Sequence, residues 1–142
     1  MRVRVATAYD EQPVLDVLRA DGDATGRQPS KARLAAVRAT LRSPASLTLV
    51  ADDAGEVVGV LRAELGGDDD PGRLRLGLLC VTPARRRTGV GRALVRALLD
   101  RFGSVVAWTA DEAVTALLVG EGFVGSGRTA EDDSSELVRR PS

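Results

Sequence analysis

The sequence predicts a single α/β domain in which helices flank a mixed β-sheet. Its 142 residues match the usual length of one domain, and no linker divides them. Short alternating or continuous apolar runs predict strands, and apolar residues at helical spacing predict helices. These segments follow one another in the order β-α-α-β-β-β-α-β-α-β-β. We therefore expect residues 1–142 to form one domain.

The first three elements are a strand and two helices. Residues 3–8 begin with alternating Val and Arg, as a half-buried strand does. Asp10 suits the N-cap of the first helix, which we expect to end at the Asp-Gly-Asp run of residues 21–23. Ser30 opens the second helix. The Ser-Pro pair at residues 43–44 stops it, because a residue before proline disfavours the helical conformation.

The middle of the chain predicts three strands. Residues 47–51 and 56–64 flank a turn at residues 52–55. Residues 66–72 are acidic and rich in glycine, which predicts a loop. Residues 74–81 are mostly apolar and are followed by a Thr-Pro pair. Such a run favours a buried central strand.

The next segments predict a helix, a strand and another helix. Residues 89–101 have one apolar face and one basic face, as an amphipathic helix does. Residues 104–108 form a short predicted strand. Thr109 and Glu112 have the spacing of a capping box, so we expect the following helix to begin there. We expect the Gly-Glu-Gly run at residues 120–122 to end it.

The C-terminal segment predicts two strands, at residues 123–124 and 136–138, separated by a polar loop. Residues 125–130 match the GxGxxA pattern of dinucleotide-binding loops. They lie too near the C-terminus for a βαβ unit to follow, and acidic residues come next. We therefore predict a loop without a nucleotide-binding role.

The composition excludes several classes of function. Basic and acidic residues number 20 each, and 3% of residues are aromatic. Nucleic-acid-binding domains usually have a basic excess or aromatic platforms for bases, so we expect no nucleic-acid partner. Histidine is absent and Cys80 is the only cysteine. Ser-His-Asp and Cys-His catalysis, HExxH sites and zinc-binding cysteine clusters are therefore excluded, and we expect no metal.

The N-terminal residues and the apolar runs suggest where the protein works. Residues 1–10 lack the apolar stretch of a signal peptide, and no apolar run is long enough to span a bilayer. A single unpaired cysteine fits a reducing compartment. We therefore expect a cytoplasmic protein without a membrane partner.

The most informative segment is residues 81–94, which joins the predicted central strand to an amphipathic helix. A helix N-terminus presents N–H groups without intrahelical partners, and its dipole attracts anions. Gly89 and Gly91 leave room for a phosphate to approach the backbone, and three arginines at residues 85–87 add positive charge. The Walker pattern GxxxxGK[ST] is absent. We predict a phosphate-bearing ligand at the start of this helix.

Three local patterns and the order of elements resemble one family. Arg86-x-x-Gly89-x-Gly91 matches the [QR]-x-x-G-x-[GA] motif of the GCN5-related N-acetyltransferase (GNAT) superfamily. The Val-x-Pro at residues 81–83 and the Gly-Phe at residues 122–123 also resemble that family. The likeness covers most of the chain and implies the family's acyl-CoA N-acyltransferase fold.

The resemblance implies acetyl-CoA as co-substrate and a set of residues that contact it. Amides from Thr88 to Arg92 would hold the pyrophosphate, with Arg86 at the start of the loop. The backbone of Cys80 and Val81 would pair with the pantetheine arm as an added strand does. The family splays its fourth and fifth strands to make that slot. The expected cofactor-binding residues are Cys80, Val81, Arg86, Arg87, Thr88, Gly89, Val90, Gly91 and Arg92.

The resemblance also implies acetyl transfer to a primary amine by direct attack in a ternary complex, but the residues that usually handle protons differ. The family's fourth-helix tyrosine is replaced by Leu118, and its asparagine near the start of that helix by Asp111. The predicted fourth strand has no carboxylate. The candidate catalytic residues are Glu64, Asp111 and Tyr9. Alternatively, water carries the protons while catalysis relies on proximity, or the domain is non-catalytic and binds or senses acyl-CoA or binds a partner.

Several readings stay open at the level of sequence. The arginines at residues 85–87 also fit a solvated turn, and Cys80 fits either a core position or a nucleophile. The acidic run at residues 68–70 fits a solvated loop or attraction of a cationic substrate, and Trp108 fits packing near the slot. A small amine, an aminoglycoside, a peptide N-terminus and a protein lysine all remain as acceptors, and a homodimer stays open.

Overall fold

The computed structural model describes residues 1–65 and 74–140. Within them the strands and α-helices follow the order expected from the sequence. The strands are β1 (Arg2–Val5), β2 (Ser46–Asp53), β3 (Glu56–Leu65), β4 (Leu74–Val81), β5 (Val105–Thr109), β6 (Val124–Thr129) and β7 (Ser135–Arg139). The helices are α1 (Glu11–Thr25), α2 (Lys31–Thr40), α3 (Val90–Arg101) and α4 (Glu112–Gly120). Short 3-10 helices at Ala8–Asp10 and Pro83–Arg85 precede α1 and α3.

The strands form one seven-stranded sheet in the order β1-β2-β3-β4-β5-β7-β6. Neighbouring strands are antiparallel except β4 and β5, which are parallel. The predicted fold class, a mixed sheet flanked by helices, is confirmed.

The sheet is split between its two parallel strands. β4 and β5 pair only where Leu74, Arg75 and Leu76 meet Val105, Val106 and Ala107. Beyond these positions β4 pairs with β3 alone, and β5 pairs with β7. Within the described residues, the edge of β4 from residue 77 to residue 81 therefore has no strand partner on the β5 side. We call the gap between β4 and β5 beyond these positions the slot.

A bulge at Gly77 lies at the base of this slot. Arg62 of β3 pairs with Leu78 and Ala63 pairs with Leu76, which leaves Gly77 as an extra residue. A bulge shifts the alternation of side chains between the two faces of the sheet. Leu76 thus packs with α3 and α4, whereas Leu78 packs with α1 and α2.

The core consists of two apolar clusters, one on each face of the sheet. The first face carries α3 and α4, whose cluster includes residues of every strand except β6. The second face carries α1 and α2, whose cluster includes residues of β2, β3 and β4 but none of β5, β6 or β7. The second face is therefore covered over only half of its width by the described helices.

Of two predictions about α1, the N-cap position is confirmed without its capping hydrogen bond, and the C-terminal end is wrong. Asp10 stands at the N-cap position, but its carboxylate accepts hydrogen bonds from Arg4 at 2.8 and 2.9 Å and from the Thr7 amide at 2.7 Å. A charged guanidinium forms stronger hydrogen bonds with a carboxylate than a helix amide does. This explains why the Asp10 side chain binds Arg4 and does not cap α1. The helix also continues through residues 21–23 and ends at Gly26, whose φ of 73° is left-handed. A single glycine inside a helix costs about 1 kcal/mol, which the packing of α1 can offset, while a left-handed C-cap favours glycine.

Two predictions near the C-terminus are also wrong. The cap of α4 is Asp111, whose carboxylate accepts from the amides of Ala113 at 2.8 Å and Val114 at 3.1 Å. The Thr109 hydroxyl accepts from the Asp111 amide instead. Residues 125–130, predicted as a loop, lie mostly in β6. This edge strand is exposed along its whole length, so no apolar alternation marks it in the sequence.

Candidate functional site

The loop between β4 and α3 presents free backbone amides beside the slot. It follows directly from the end of β4 that has separated from β5. Between residues 87 and 92 no amide donates a hydrogen bond to a described residue. Ala93 is the first to donate, to the Gly89 carbonyl at 3.0 Å. The start of α3 is therefore equipped to bind an anion through its backbone.

Two glycines let the start of α3 approach its neighbours closely. A Cβ on Gly59 of β3 would lie 2.7 Å from Cγ1 of Val90, and one on Gly91 would lie 2.9 Å from Cδ1 of Leu117 in α4. A side chain at either position would force its neighbour to move. Close packing is therefore one reason for glycine at Gly91, beside the phosphate approach that the sequence predicts.

Gly89 differs from Gly91 in conformation and surroundings. Its φ is 89°, in the left-handed region that favours glycine, and no atom lies within 4 Å of its Cβ position. Arg87 also has a positive φ, 64°. These two residues turn the chain sharply into α3 while the space beside Gly89 stays open.

The arginines around this loop mostly contact acidic residues of other elements. The ion pairs are Arg85 with Asp53, Arg86 with Asp21, and Arg92 with Glu121. They tie the loop and α3 to β2, α1 and α4. Arg87 is exposed and forms no ion pair with a described residue. The backbone amides are therefore the groups at this loop that stay available to an anion, and Arg87 is the loop arginine without an ion pair to a described residue.

A first cleft of about 750 Å³ lies between the α1–α2 connection and the second half of β4. Three residues of β4 form one wall, and Asp111 at the start of α4 is also part of the lining. The remaining lining comes from α1, from the connection and from α2. The lining residues include Asp21, Arg27, Arg33, Leu78, Leu79 and Cys80. The free edge of β4 thus faces this cleft.

Cys80 lies in this cleft but is not equipped as a nucleophile. It is 7% exposed, and its Sγ is 3.8 Å from the Val17 carbonyl. Burial, with a smaller contribution from the charge of Asp21, raises the pKa of the thiol to about 12. At neutral pH the side chain is therefore a protonated thiol, and reactivity requires the thiolate.

A second cleft of about 410 Å³ lies on the same face, at the closed end of the slot. Glu64, Gly77 and Trp108 line it, together with Arg62 and Arg75. The Glu64 carboxylate is 3.4 Å from each of these guanidinium groups. The cleft therefore places a carboxylate and an aromatic ring beside the point where β4 and β5 separate.

The comparisons with known proteins identify the family. The model of the acetyltransferase (GNAT) family matches residues 13–118, which is most of the chain. The chain belongs to the GNAT acetyltransferase family. The resemblance drawn from the loop motif is thereby confirmed.

Solved GNAT structures share the fold across nearly the whole chain. PaiA N-acetyltransferase from Thermoplasma acidophilum, in complex with coenzyme A, has a TM-score of 0.75 at 10% identity, covering 99% of both chains. An aminoglycoside 6′-N-acetyltransferase with coenzyme A has a TM-score of 0.78 at 15% identity, covering 97% of this chain and 94% of that one. An acetyltransferase from Thermus thermophilus has a TM-score of 0.77 at 21% identity, covering 98% of this chain and 97% of that one. No curated protein sequence matches significantly.

The structure brings only some of the predicted catalytic residues of this GNAT chain to the clefts. Glu64 lines the second cleft and Asp111 the first. Tyr9 is 95% exposed in the short 3-10 helix after edge strand β1 and lines neither cleft. Leu118, at the family's tyrosine position, is fully buried in the first-face core. The acidic run at residues 68–70 lies outside the described residues.

Four residues to which the sequence patterns assign no role lie at or beside the second cleft. Arg62 and Arg75 line it, and Arg128 and Glu136 lie beside Trp108. Arg62, Arg75 and Glu136 lie next to buried apolar residues in predicted strands, so strand periodicity could have assigned them to one face. Arg128 lies in β6, which no alternation marks. The pairing of distant strands that brings them together has no local signal.

Two further observations concern membranes and metals. Among residues 1–65 and 74–140, no helix is both long and apolar enough to cross a bilayer. The His, Cys, Asp and Glu side chains of the same residues form no group of three that could hold a metal ion.

Proposed function

We propose that this GNAT protein transfers an acetyl group from acetyl-CoA to a primary amine by direct attack in a ternary complex. The observation that carries the proposal is the slot between β4 and β5, which leads to a helix start with unpaired amides. Two of the similar structures contain coenzyme A, which supports the choice of ligand.

Acetyl-CoA fits this site in two parts. The pyrophosphate is a dianion, and the amides of residues 88–92 with the α3 dipole supply donors and positive potential for it. The pantetheine arm carries two amides, which can pair with the free edge of β4 at Cys80 and Val81 as an added strand does. Arg86 and Arg87 lie at the start of the loop. The thioester would then reach the closed end of the slot, near Gly77.

The acceptor amine would approach from the second face, where α1 and α2 leave the sheet uncovered. Its nitrogen attacks the thioester carbon, so that an N–C bond forms and the C–S bond breaks. The nitrogen loses a proton, and the departing thiolate gains one. Glu64 is the carboxylate that we assign to hold the amine and accept its proton, because it lines the second cleft.

Asp111 is the second candidate for handling protons. Its Oδ1 accepts both amide hydrogen bonds at the start of α4. Oδ2 accepts none from the described residues, so it can bind a water molecule in the first cleft. With Leu118 buried, we infer that water, held in this way, protonates the thiolate in place of the family's tyrosine.

A second candidate function is acyl-CoA binding without transfer. The observation that favours it is Leu118, which we align with the family's tyrosine. Its side chain is fully buried and cannot donate a proton. Both candidates predict acetyl-CoA binding, and they differ in turnover.

Calorimetric titration with acetyl-CoA, followed by a thiol-release assay across a panel of primary amines, tests both candidates. We expect saturable binding and release of CoA with at least one amine. Binding without release for every amine at pH 7 to 9 would favour the non-catalytic candidate. No binding by folded protein would overturn both.

A further inference from the structure

The open half of the second face carries a charged group that the proposed transfer does not use. Trp108 of β5 and Glu136 of β7 are cross-strand partners, and Arg128 of β6 contacts both. The guanidinium carbon of Arg128 lies 5.7 Å from the centre of the Trp108 ring. Its Nη1 lies 3.5 Å from a carboxylate oxygen of Glu136. We call the Trp108 ring and the Glu136 carboxylate the cation corner.

Glu136 needs a cation at this position. The residue is 7% exposed, and a buried carboxylate is unfavourable unless a charged or hydrogen-bonding partner compensates it. Among the described residues its ionic partner is Arg128, whose side chain is 72% exposed. A buried anion is thus matched with a cation that hangs from the exposed edge strand.

The contacts of Arg128 are weak ones. The distance of 5.7 Å lies near the outer limit for a cation–π contact, and 3.5 Å is long for a charged hydrogen bond. Ion pairs that involve a mostly exposed side chain contribute little to stability. A cation that fits between the ring and the carboxylate more closely can therefore displace Arg128.

The cation corner adjoins the place where the acetyl group would be transferred. Trp108 lines the second cleft with Glu64 and Gly77. It directly follows Ala107, the last residue of β5 that pairs with β4. A ligand with one cationic end in the corner can therefore extend its other end along the cleft toward the base of the slot.

We propose that the cation corner binds a guanidinium group of the acceptor, which displaces Arg128. The acceptor is then a primary amine that carries a second, cationic group. A guanidinium is favoured over an ammonium because its plane stacks on an indole and its paired N–H groups match a carboxylate. This inference rests on the proposed acetyl transfer and names the class of acceptor.

Agmatine and n-butylamine test the proposal, because they share the amine and the four-carbon chain and only agmatine has the guanidinium. Trp108 is the only tryptophan, so its fluorescence reports on the corner directly. Each amine is titrated into protein saturated with CoA, which binds without turnover. We expect agmatine to change the fluorescence saturably, and we expect n-butylamine at the same concentrations to leave it unchanged.

Two variants with matched controls separate the corner from general charge effects. Glu136→Gln should raise the Kd for agmatine by about tenfold or more, whereas Glu131→Gln in the same hairpin should not. Arg128→Ala should lower the Kd by about threefold, because the resident cation is removed, whereas Arg101→Ala at the end of α3 should have no effect.

The outcomes distinguish this proposal from the proposed function. Equal binding of agmatine and n-butylamine, or weaker agmatine binding in Arg128→Ala, would overturn the corner proposal while acetyl-CoA binding stays intact. Failure of the wild-type protein to bind acetyl-CoA would overturn the proposed function, whatever the fluorescence shows. If agmatine binds as expected but is not acetylated while another amine is, the corner is not an acceptor site.

Discussion

The two faces of the sheet differ in how they are covered and in what covers them. On the first face α3 and α4 bury a continuous apolar cluster. On the second face the helices cover the sheet only as far as β4. The described residues that are buried but polar or charged lie on this face or next to it; they are Asp10, Thr48 and Glu136. Both faces thus contribute to the core, but the first face is buried across the sheet, whereas the second also exposes side chains next to the slot.

This difference shows how one sheet can serve two substrates. In the proposed function, the first face would supply acetyl-CoA with backbone amides at the start of α3, where glycines allow close packing. The second face would supply the acceptor with charged and aromatic side chains. Changes on the first face should therefore affect cofactor binding or stability, and changes on the second should affect acceptor chemistry.

Gly89→Glu should have the largest effect, on the cofactor side. A carboxylate beside the pyrophosphate repels it, and like-charge contacts cost several kcal/mol, so we expect acetyl-CoA affinity to fall about a thousandfold. Gly89→Ala carries the same strain at φ 89° without the charge and should lose much less affinity. Calorimetry on both variants measures the difference. Equal losses would assign the effect to backbone strain.

Leu94→Ala tests how much the apolar core of the first face contributes to the free energy of unfolding. Leu94 is fully buried, and truncating it should lower the free energy of unfolding by about 3 kcal/mol. Val119→Ala, at an exposed position of α4, should change it by less than about 0.5 kcal/mol. Urea unfolding measures both values. The affinity of folded Leu94→Ala for acetyl-CoA should stay near that of the wild type; a large loss would mean that core and cofactor site are coupled.

Glu64→Gln tests the second face as the source of chemistry. Loss of the base should lower kcat by about a hundredfold at pH 7, with part of the rate recovered at higher pH, where free amine is more abundant. Acetyl-CoA affinity should not change. Glu56→Gln, at the exposed start of β3, serves as the control. An unchanged pH profile would assign Glu64 a structural role.

Asp10→Asn tests a polar contact on the second face away from the slot. Hydrogen bonds from Arg4 hold the pKa of Asp10 below its ordinary value of 3.8. A carboxylate with a lowered folded-state pKa contributes stability above the unfolded pKa and loses it as pH falls through the folded one. We expect the variant to be about 2 kcal/mol less stable at pH 7 and to lose less stability below about pH 4. Parallel urea curves at pH 3 and 7 that show no such difference would contradict this.

Cys80→Ala should have the smallest effect. With the thiol pKa at about 12, no thiolate is available at neutral pH, so kcat/KM should stay within about twofold of the wild type. The native thiol should also react far more slowly with an alkylating reagent than the denatured one. Loss of all turnover in folded Cys80→Ala would indicate that Cys80 is a catalytic nucleophile, contrary to the proposed mechanism.

The sequence predicted the first face well and the second face poorly. The strand, loop and helix between residues 74 and 101 could be predicted because an apolar run, an Arg-x-x-Gly-x-Gly segment and an amphipathic pattern follow one another locally. The binding of a cofactor by this loop stays a prediction. The apolar stripe of α3 likewise predicted its buried side, as Leu94 and Leu98 show.

The rest depended on pairings between distant strands. Trp108, Glu136 and Arg128 meet because β7 inserts between β5 and β6, an arrangement that no local pattern encodes. The bulge at Gly77 decides which side chains of β4 face which helices, and a single glycine in a strand does not reveal it. Asp10 and Asp111 show the same limit, since the choice of cap depended on a partner arginine in one case and on a two-residue shift in the other.

The short pairing between β4 and β5 also has a mechanical meaning. Among the described residues, the pairing of Leu74–Leu76 with Val105–Ala107 is the only strand pairing that joins β1–β4 to β5–β7, so a rotation of one part against the other would pivot there. The five residues of β4 beyond it form a lever about 16 Å long at the usual rise per residue, so a rotation of about 5° would move the tip by about 1.4 Å. The base of the slot barely changes width under such a rotation, while its mouth does. A ligand that contacts both β4 and β5 at the mouth of the slot would therefore restrict this rotation most.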